Sequence, residues 1–198
     1  MQARSEHTRQ ALVRATAELI ADGRVSDAGL VNICRRAGVS RGALYHHFPS
    51  TSALTAAVYD QARLRVQALT EEAFAGPAQD APERFLLALG EALRTEPVVR
   101  AGMQLAADGS PGPPRLRDDV LTLLRQRVRD TQKEGARPAG DLADLAMVVA
   151  AGIESLGRST SGWWDGETSH RLWELIGPLF AQDAQACPGR GGGRAAPC

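Results

Sequence analysis

Apolar positions recur with helical period along the whole chain, and no stretch alternates as a half-buried strand would. Leu12, Ala15 and Leu19 give a first helix one apolar face, ending near Gly23. A shorter helix is predicted from about Gly29 to Arg36, capped by Asp27, with Leu30, Ile33 and Ala37 inward. Gly38 falls where the chain must turn, and Ser40 opens a third helix over Arg41 to His47. Pro49 stops it, and Ser50 caps a fourth helix reaching about Phe74. After the linker GPAQDAP come helices near Pro82–Thr95 and Pro97–Ala107, then the breaker GSPGPP. Leu116, Val120, Leu124 and Val128 mark the next helix, with Arg and Asp on its outer side. Asp141 is the expected cap of a helix carrying Leu145, Val149, Gly152, Ile153 and Leu156. Leu172, Leu175, Ile176, Leu179 and Phe180 form a wide stripe on the last helix, which Pro178 should kink or end near Phe180. The fold class is all-α. Residues 183–198, with PGRGGGRAAPC, offer nothing to bury and read as a disordered tail.

Charge sharpens this picture. The chain of 198 residues has a net charge of zero, which conceals an asymmetry. Up to Leu69 the basic residues are Arg4, Arg9, Arg14, Arg24, Arg35, Arg36, Arg41, Arg63 and Arg65. Only Glu6, Glu18, Asp22, Asp27 and Asp60 oppose them, so a polyanion partner belongs at this end. Cys34, Cys187 and Cys198 form no CxxC pair or Cys/His cluster, and their odd number points to a reducing compartment. MQARSEHTRQ has no apolar targeting core, and the run Leu145 to Ile153 falls far short of a membrane span. A cytoplasmic protein is expected. No HExxH, nucleophile elbow, phosphate-binding glycine loop or metal cluster appears, so neither enzyme activity nor a cofactor is expected.

Ile33, Ala37, Gly38, Val39 and Leu44 are spaced as two short helices crossing through a tight turn. In a helix-turn-helix that binds double-stranded DNA, the second helix enters the major groove with its N-terminal residues toward the bases. Here these are Ser40, Arg41, Gly42 and Ala43. Arg41 suits a guanine edge or a phosphate, and the small Gly42 and Ala43 permit close approach, with the alanine methyl facing a thymine methyl. Tyr45 and His46 have polar tips for phosphate oxygens. Ser50, Thr51 and the free N–H groups opening the fourth helix suit another phosphate. Taken alone, GVSRGALYHHF fits as well a helical corner whose Tyr and His cover a small core.

The segment ICRRAGVSRGALYHHFPSTSAL, from Ile33, closely resembles the signature of tetracycline-repressor-like (TetR) regulators. TRQALVRATAELIADG fits the preceding helix of that module, so the resemblance covers about residues 7–58. It implies an all-helical homodimer with a three-helix DNA-binding head and a C-terminal ligand-binding body. It also makes Ser40, Arg41, Gly42, Tyr45 and His46 groove and phosphate contacts. Two departures stand out. Family members usually begin the second helix with a capping Thr or Ser, where this chain has Ala28 and Gly29. The fourth helix usually opens with lysine, where Thr51 stands. Both changes remove phosphate contacts and should flatten the salt dependence of DNA binding.

EPVVRAGMQLA, at Glu96 to Ala106, and LWELIGPLF resemble γ-butyrolactone autoregulator receptors of antibiotic-producing actinomycetes, a TetR subgroup. Those receptors line their pocket with a tryptophan in the helix after the breaker. By spacing Val120 takes its place, which argues against the usual butyrolactone. A related furan or butenolide, an antibiotic, or no ligand at all remain as effectors. Met103, Leu124, Val128, Val149 and Ile153 are candidate pocket residues or ordinary core, and Gln104, Thr122, Gln126 and Ser155 are candidate polar anchors. Trp163 and Trp164 fit the junction of the last two helices, with one at a dimer interface, or the pocket itself. Cys34 reads as a small buried apolar residue.

The resulting organisation is a DNA-binding domain over 1–49, a ligand-binding and dimerisation domain over 50–182 and a tail over 183–198. The function read from it is a homodimeric repressor of a pseudo-palindromic operator, released by a small-molecule signal of butyrolactone, furan or butenolide type. The alternatives are an orphan regulator, or a dimerising interaction protein with weakened DNA binding.

Overall fold

The computed structural model describes residues 2–22, 29–131, 138–157 and 166–180. Among them run nine α-helices and no strand: α1 (Gln2–Ala21), α2 (Leu30–Ala37), α3 (Arg41–His47), α4 (Thr51–Phe74), α5 (Ala81–Thr95), α6 (Pro97–Gly102), α7 (Leu116–Thr131), α8 (Ala139–Gly157) and α9 (Gly166–Phe180). None of these helices is long and apolar enough to cross a membrane. Asp27, Trp163, Trp164, Cys187, Cys198 and the expected tail lie outside the described residues.

Buried apolar residues form one cluster from Leu12 to Phe180, and α1 and α4 are its spine. Leu12, Val13, Ala17 and Ile20 of α1 are buried, because α1 is enclosed by α2, α4 and α6 together. Thr16 shares that buried face without leaving its hydroxyl unpaired, since Oγ1 donates to the Leu12 carbonyl at 2.8 Å. Leu54, Val58, Ala62, Val66, Leu69 and Ala73 are buried along the whole length of α4. That helix touches α1 at one end and α5 and α7 along the rest, so it joins the N-terminal helices to the C-terminal bundle. Arg65 binds Glu96 through three contacts of 3.0–3.1 Å, fastening α4 to the α5–α6 junction with a fork-like pair. Arg100 donates to the Leu93 and Arg94 carbonyls, both at 2.8 Å, and so satisfies the end of α5.

The C-terminal bundle is built on an α7–α8 pair. Arg117 faces Glu154 and Arg125 faces Asp144, a crossed numbering that makes the two helices antiparallel. Leu116, Val120, Leu124 and Val128 are buried along α7, as the helical spacing predicts. On α9, Trp173 stacks on Phe180 with centroids 5.4 Å apart. Pro178 lies inside the described helix, whose last turn reaches Phe180.

Two boundaries differ from the sequence-based expectation. The helix expected to reach Ala107 stops at Gly102, because the chain folds back there: the Leu105 N–H bonds the Gly102 carbonyl, and Ala106 forms an isolated antiparallel bridge with Arg115. Inside this loop Gly109 (φ 81°) presses on α4; a Cβ there would lie 2.7 Å from the Ala56 nitrogen and 2.9 Å from the Ser52 oxygen. The Asp108 carboxylate accepts from the Ser110 N–H at 2.9 Å, and that bond holds its pKa below the ordinary value. Asp141 does not cap α8. The helix starts at Ala139, the Asp141 N–H already bonds the Pro138 carbonyl, and the carboxylate sits in the first turn, where it favours the helix dipole.

Candidate nucleic-acid interface

The α2–α3 corner follows from local rules. Gly38 takes the left-handed conformation (φ 67°, ψ 29°), which costs a glycine almost nothing. The N–H groups of Gly38 and Val39 then bond the Arg35 and Cys34 carbonyls and close α2. Ser40 caps α3 by accepting from the Ala43 N–H at 3.1 Å. Leu44 and Phe48 anchor the corner in the core. The Arg9 guanidinium lies 5.3 Å from the centre of the Phe48 ring, a cation–π contact tying α1 to it. On the far side of α1, Arg36 donates to Glu18 at 2.6 Å and fixes α2.

With Leu44 and Phe48 turned inward, Arg41, Gly42, Tyr45 and His46 are all exposed on one strip of α3. Tyr45 is 54% exposed although it is an aromatic residue. The Arg41 and Tyr45 side chains make no hydrogen bond or ion pair to other described residues. Gly42 is equally telling. A Cβ there would meet only Ser40 Oγ at 3.9 Å, so packing inside the chain does not demand a glycine. Ala43 is half-buried beside it, and Ser50 caps α4 by accepting from the Ala53 N–H at 3.1 Å. Thr51 opens α4 next to that cap. At the other candidate phosphate site, Gly29 precedes α2 without a side-chain cap.

Residues 12–58 match the family of bacterial regulatory proteins named for tetR. Residues 12–58 thus carry the N-terminal region of that family. The chain is 29% identical over 187 residues to the A-factor receptor protein of Streptomyces griseus, covering 91% of this chain and 66% of that one. It thus spans just under two thirds of that relative. The transcriptional regulator UidR of Escherichia coli K12 is 28% identical over 171 residues, covering 78% of this chain and 86% of UidR. The fold is that of CprB from Streptomyces coelicolor, solved with its biological operator sequence (TM-score 0.68, 22% identity, 88% of each chain covered). A gamma-butyrolactone receptor described as ArpA-like shares it too (TM-score 0.63, 21% identity, 89% of this chain and 97% of that one). The TetR family is one of regulatory proteins and not of enzymes.

In the C-terminal bundle and its surroundings, the sequence-predicted pocket residues occupy different places. Met103, Leu124, Val128 and Ile153 are fully buried in the common core, and Val149 packs against it half-buried. Gln104 is half-buried, with Nε2 donating to the Arg100 carbonyl at 3.1 Å. Thr122, Gln126 and Ser155 are exposed. Val120 lines a cleft of about 260 Å³ between α4 and α7, floored further by Val66, Leu116 and Leu123. Arg63, Gln67 and Glu71 of α4 and Asp119 and Arg127 of α7 stand around it, with Thr70 between. Tyr59, buried on α4, donates to Asp119 Oδ2 at 3.3 Å. Burial first, then the charge and hydrogen bond of Asp119, push the Tyr59 hydroxyl upward in pKa, so it remains a donor.

Apart from Val120, the cleft residues were not legible in the sequence, because polar residues on α4 and α7 look like a solvated helix face. Thr70 carried the one usable signal, a polar residue on the apolar stripe of Val66, Leu69 and Ala73. Glu154 was missed for the same reason: it is buried beside Ile153 on α8 and paired with Arg117 at 3.4 Å.

Proposed function

We propose that this chain is a DNA-binding repressor that occupies a pseudo-palindromic operator as a homodimer and leaves it when a small molecule binds the body. The observation that carries this reading is the exposed strip Arg41, Gly42, Tyr45 and His46, with no bonding partner for the Arg41 or Tyr45 side chain among the described residues and no internal need for glycine at 42. Ser40 and Ser50 set the two helix N-termini that flank the strip, and their caps leave further N–H groups for phosphates. Residues 1–49 form the DNA-binding unit of this scheme and 50–182 the sensing and dimerising unit. Two recognition helices about 34–36 Å apart then meet successive turns of the major groove. A ligand favouring a splayed dimer lowers operator affinity, and operator lowers ligand affinity by the same factor. The uncapped Gly29 and Thr51 supply fewer phosphate contacts than the family pattern, which flattens the salt dependence.

The test is fluorescence anisotropy of the purified protein with DNA from upstream of its own coding region, against random DNA of equal length. Specific binding followed by release on adding lactones, furans or butenolides supports the reading. Binding no tighter than to random DNA overturns it and favours an interaction protein.

The dimer face is assigned to α8 and α9, which carry the exposed Val148 (64%) and Leu175 (72%). Leu175→Glu should weaken self-association at least about tenfold, since a carboxylate would be buried in an apolar interface. Sedimentation velocity at micromolar protein reads this directly, and unchanged association would place the interface elsewhere.

A further inference from the structure

We propose that the α4–α7 cleft is the effector site and that it selects a small amphipathic organic anion, a carboxylate on a short apolar chain. This rests on the regulator reading above and specifies its ligand. The floor is apolar, made by Val66, Val120 and Leu123, and it takes a hydrocarbon chain. About 260 Å³ lies just under the range of drug-sized pockets, which fits a ligand of about ten non-hydrogen atoms.

The rim decides the sign of the charge. It holds two arginines and two carboxylates, so its formal charge cancels, but their hydrogen-bonding states differ. Asp119 already accepts from the Tyr59 hydroxyl, and Glu71 from Gln67 Nε2 at 2.9 Å. The guanidinium groups of Arg63 and Arg127 make no hydrogen bond or ion pair among the described residues. Each offers a planar fork of N–H donors that a carboxylate can meet with two charge-assisted bonds. A cationic ligand would instead meet carboxylates that each have one oxygen already hydrogen-bonded. The site also lies on α4, which begins at the Ser50 cap, and the Tyr59–Asp119 bond spans the same two helices. A carboxylate bridging Arg63 on α4 and Arg127 on α7 changes how those helices sit against each other, and so moves the DNA-binding end.

Octanoate and its neutral isostere octanamide are the probes. Calorimetry on the full chain is expected to show octanoate binding about tenfold tighter than octanamide, with the preference fading as salt rises. Arg63→Ala/Arg127→Ala should keep its melting temperature and bind the two probes equally. Anisotropy of the operator complex should show release by octanoate from the wild-type protein and none from the double variant. Equal binding of the two probes by the wild type, or a preference that survives in the double variant, overturns the proposal. Anion binding with no loss of operator affinity overturns the cleft as effector site. Release by neutral lactones alone does so as well, while sparing the regulator reading. If the unliganded protein fails to bind operator, it is the regulator reading that falls, and the calorimetry still decides the cleft.

Discussion

Replacing Arg41 and Tyr45 with alanine is expected to lower operator affinity by at least about 1,000-fold and leave the melting temperature unchanged. Each base or phosphate contact is worth about 1–3 kcal/mol, and every dimer loses both contacts twice. Stability should hold because both side chains are exposed and neither bonds to other described residues, the setting in which substitutions stay within about 0.5 kcal/mol. The single variants separate the roles. If Arg41 reads a guanine, Arg41→Ala relaxes specificity at one operator position and leaves the salt slope nearly unchanged. If it holds a phosphate, binding weakens on all sequences and the slope falls by about two, one for each subunit. Tyr45→Phe removes only the hydroxyl and should cost less than Tyr45→Ala. A double variant that keeps its operator affinity would show that this face of α3 does not touch DNA.

The N-terminal corner was legible in the sequence because its determinants are local. Gly38 is where only a left-handed residue lets α2 and α3 cross, and Ser40 and Ser50 stand one residue before their helices. Such positions are set by the backbone within a few residues, whatever packs on them later. The exposed strip of α3 followed from the inward place of Leu44, which the structure extends to Phe48. Helix spacing in the body was equally readable, since Leu116, Val120, Leu124 and Val128 lie on one buried stripe.

What the sequence withheld depends on contacts between distant segments. Pro97 to Ala107 has helical spacing throughout, but the chain turns at Gly102 because Leu105 and Ala106 pair with the segment before α7. Asp141 looks like a cap, yet Pro138 supplies the carbonyl that starts α8 two residues earlier. The cleft was hidden because Arg63 and Arg127 are separated by 64 positions and look like surface charges on their own helices. The stripe of Leu124, Val128 and Ile153 had the period of a pocket wall and of a packed core alike, and these three side chains are buried in the core.

Gly102→Ala should destabilise the protein by about 1–3 kcal/mol, a drop of several degrees in melting temperature for a chain of this size. A Cβ at Gly102 would lie 2.1 Å from Ala62 Cβ and 3.5 Å from Leu116 Cδ2. Ala62 is fully buried and has no rotamer to change, so α4 and α6 must part by well over an ångström to restore ordinary contact. The second-site change Ala62→Gly removes the opposing methyl. Alone it should cost about 0.5–1 kcal/mol in helix propensity, but combined with Gly102→Ala it should recover much of the loss. Additive single effects in that double variant, measured by denaturant unfolding, would rule out the direct clash. The same pair tests whether helix spacing sets the DNA-binding geometry. The α6 wedge touches α1 and α4 together, so parting α4 from α6 shifts the support of the α2–α3 corner. Operator affinity at a temperature where Gly102→Ala remains folded should therefore fall and return with Ala62→Gly. If stability is rescued and affinity is not, α6 holds the fold without setting the angle of the head.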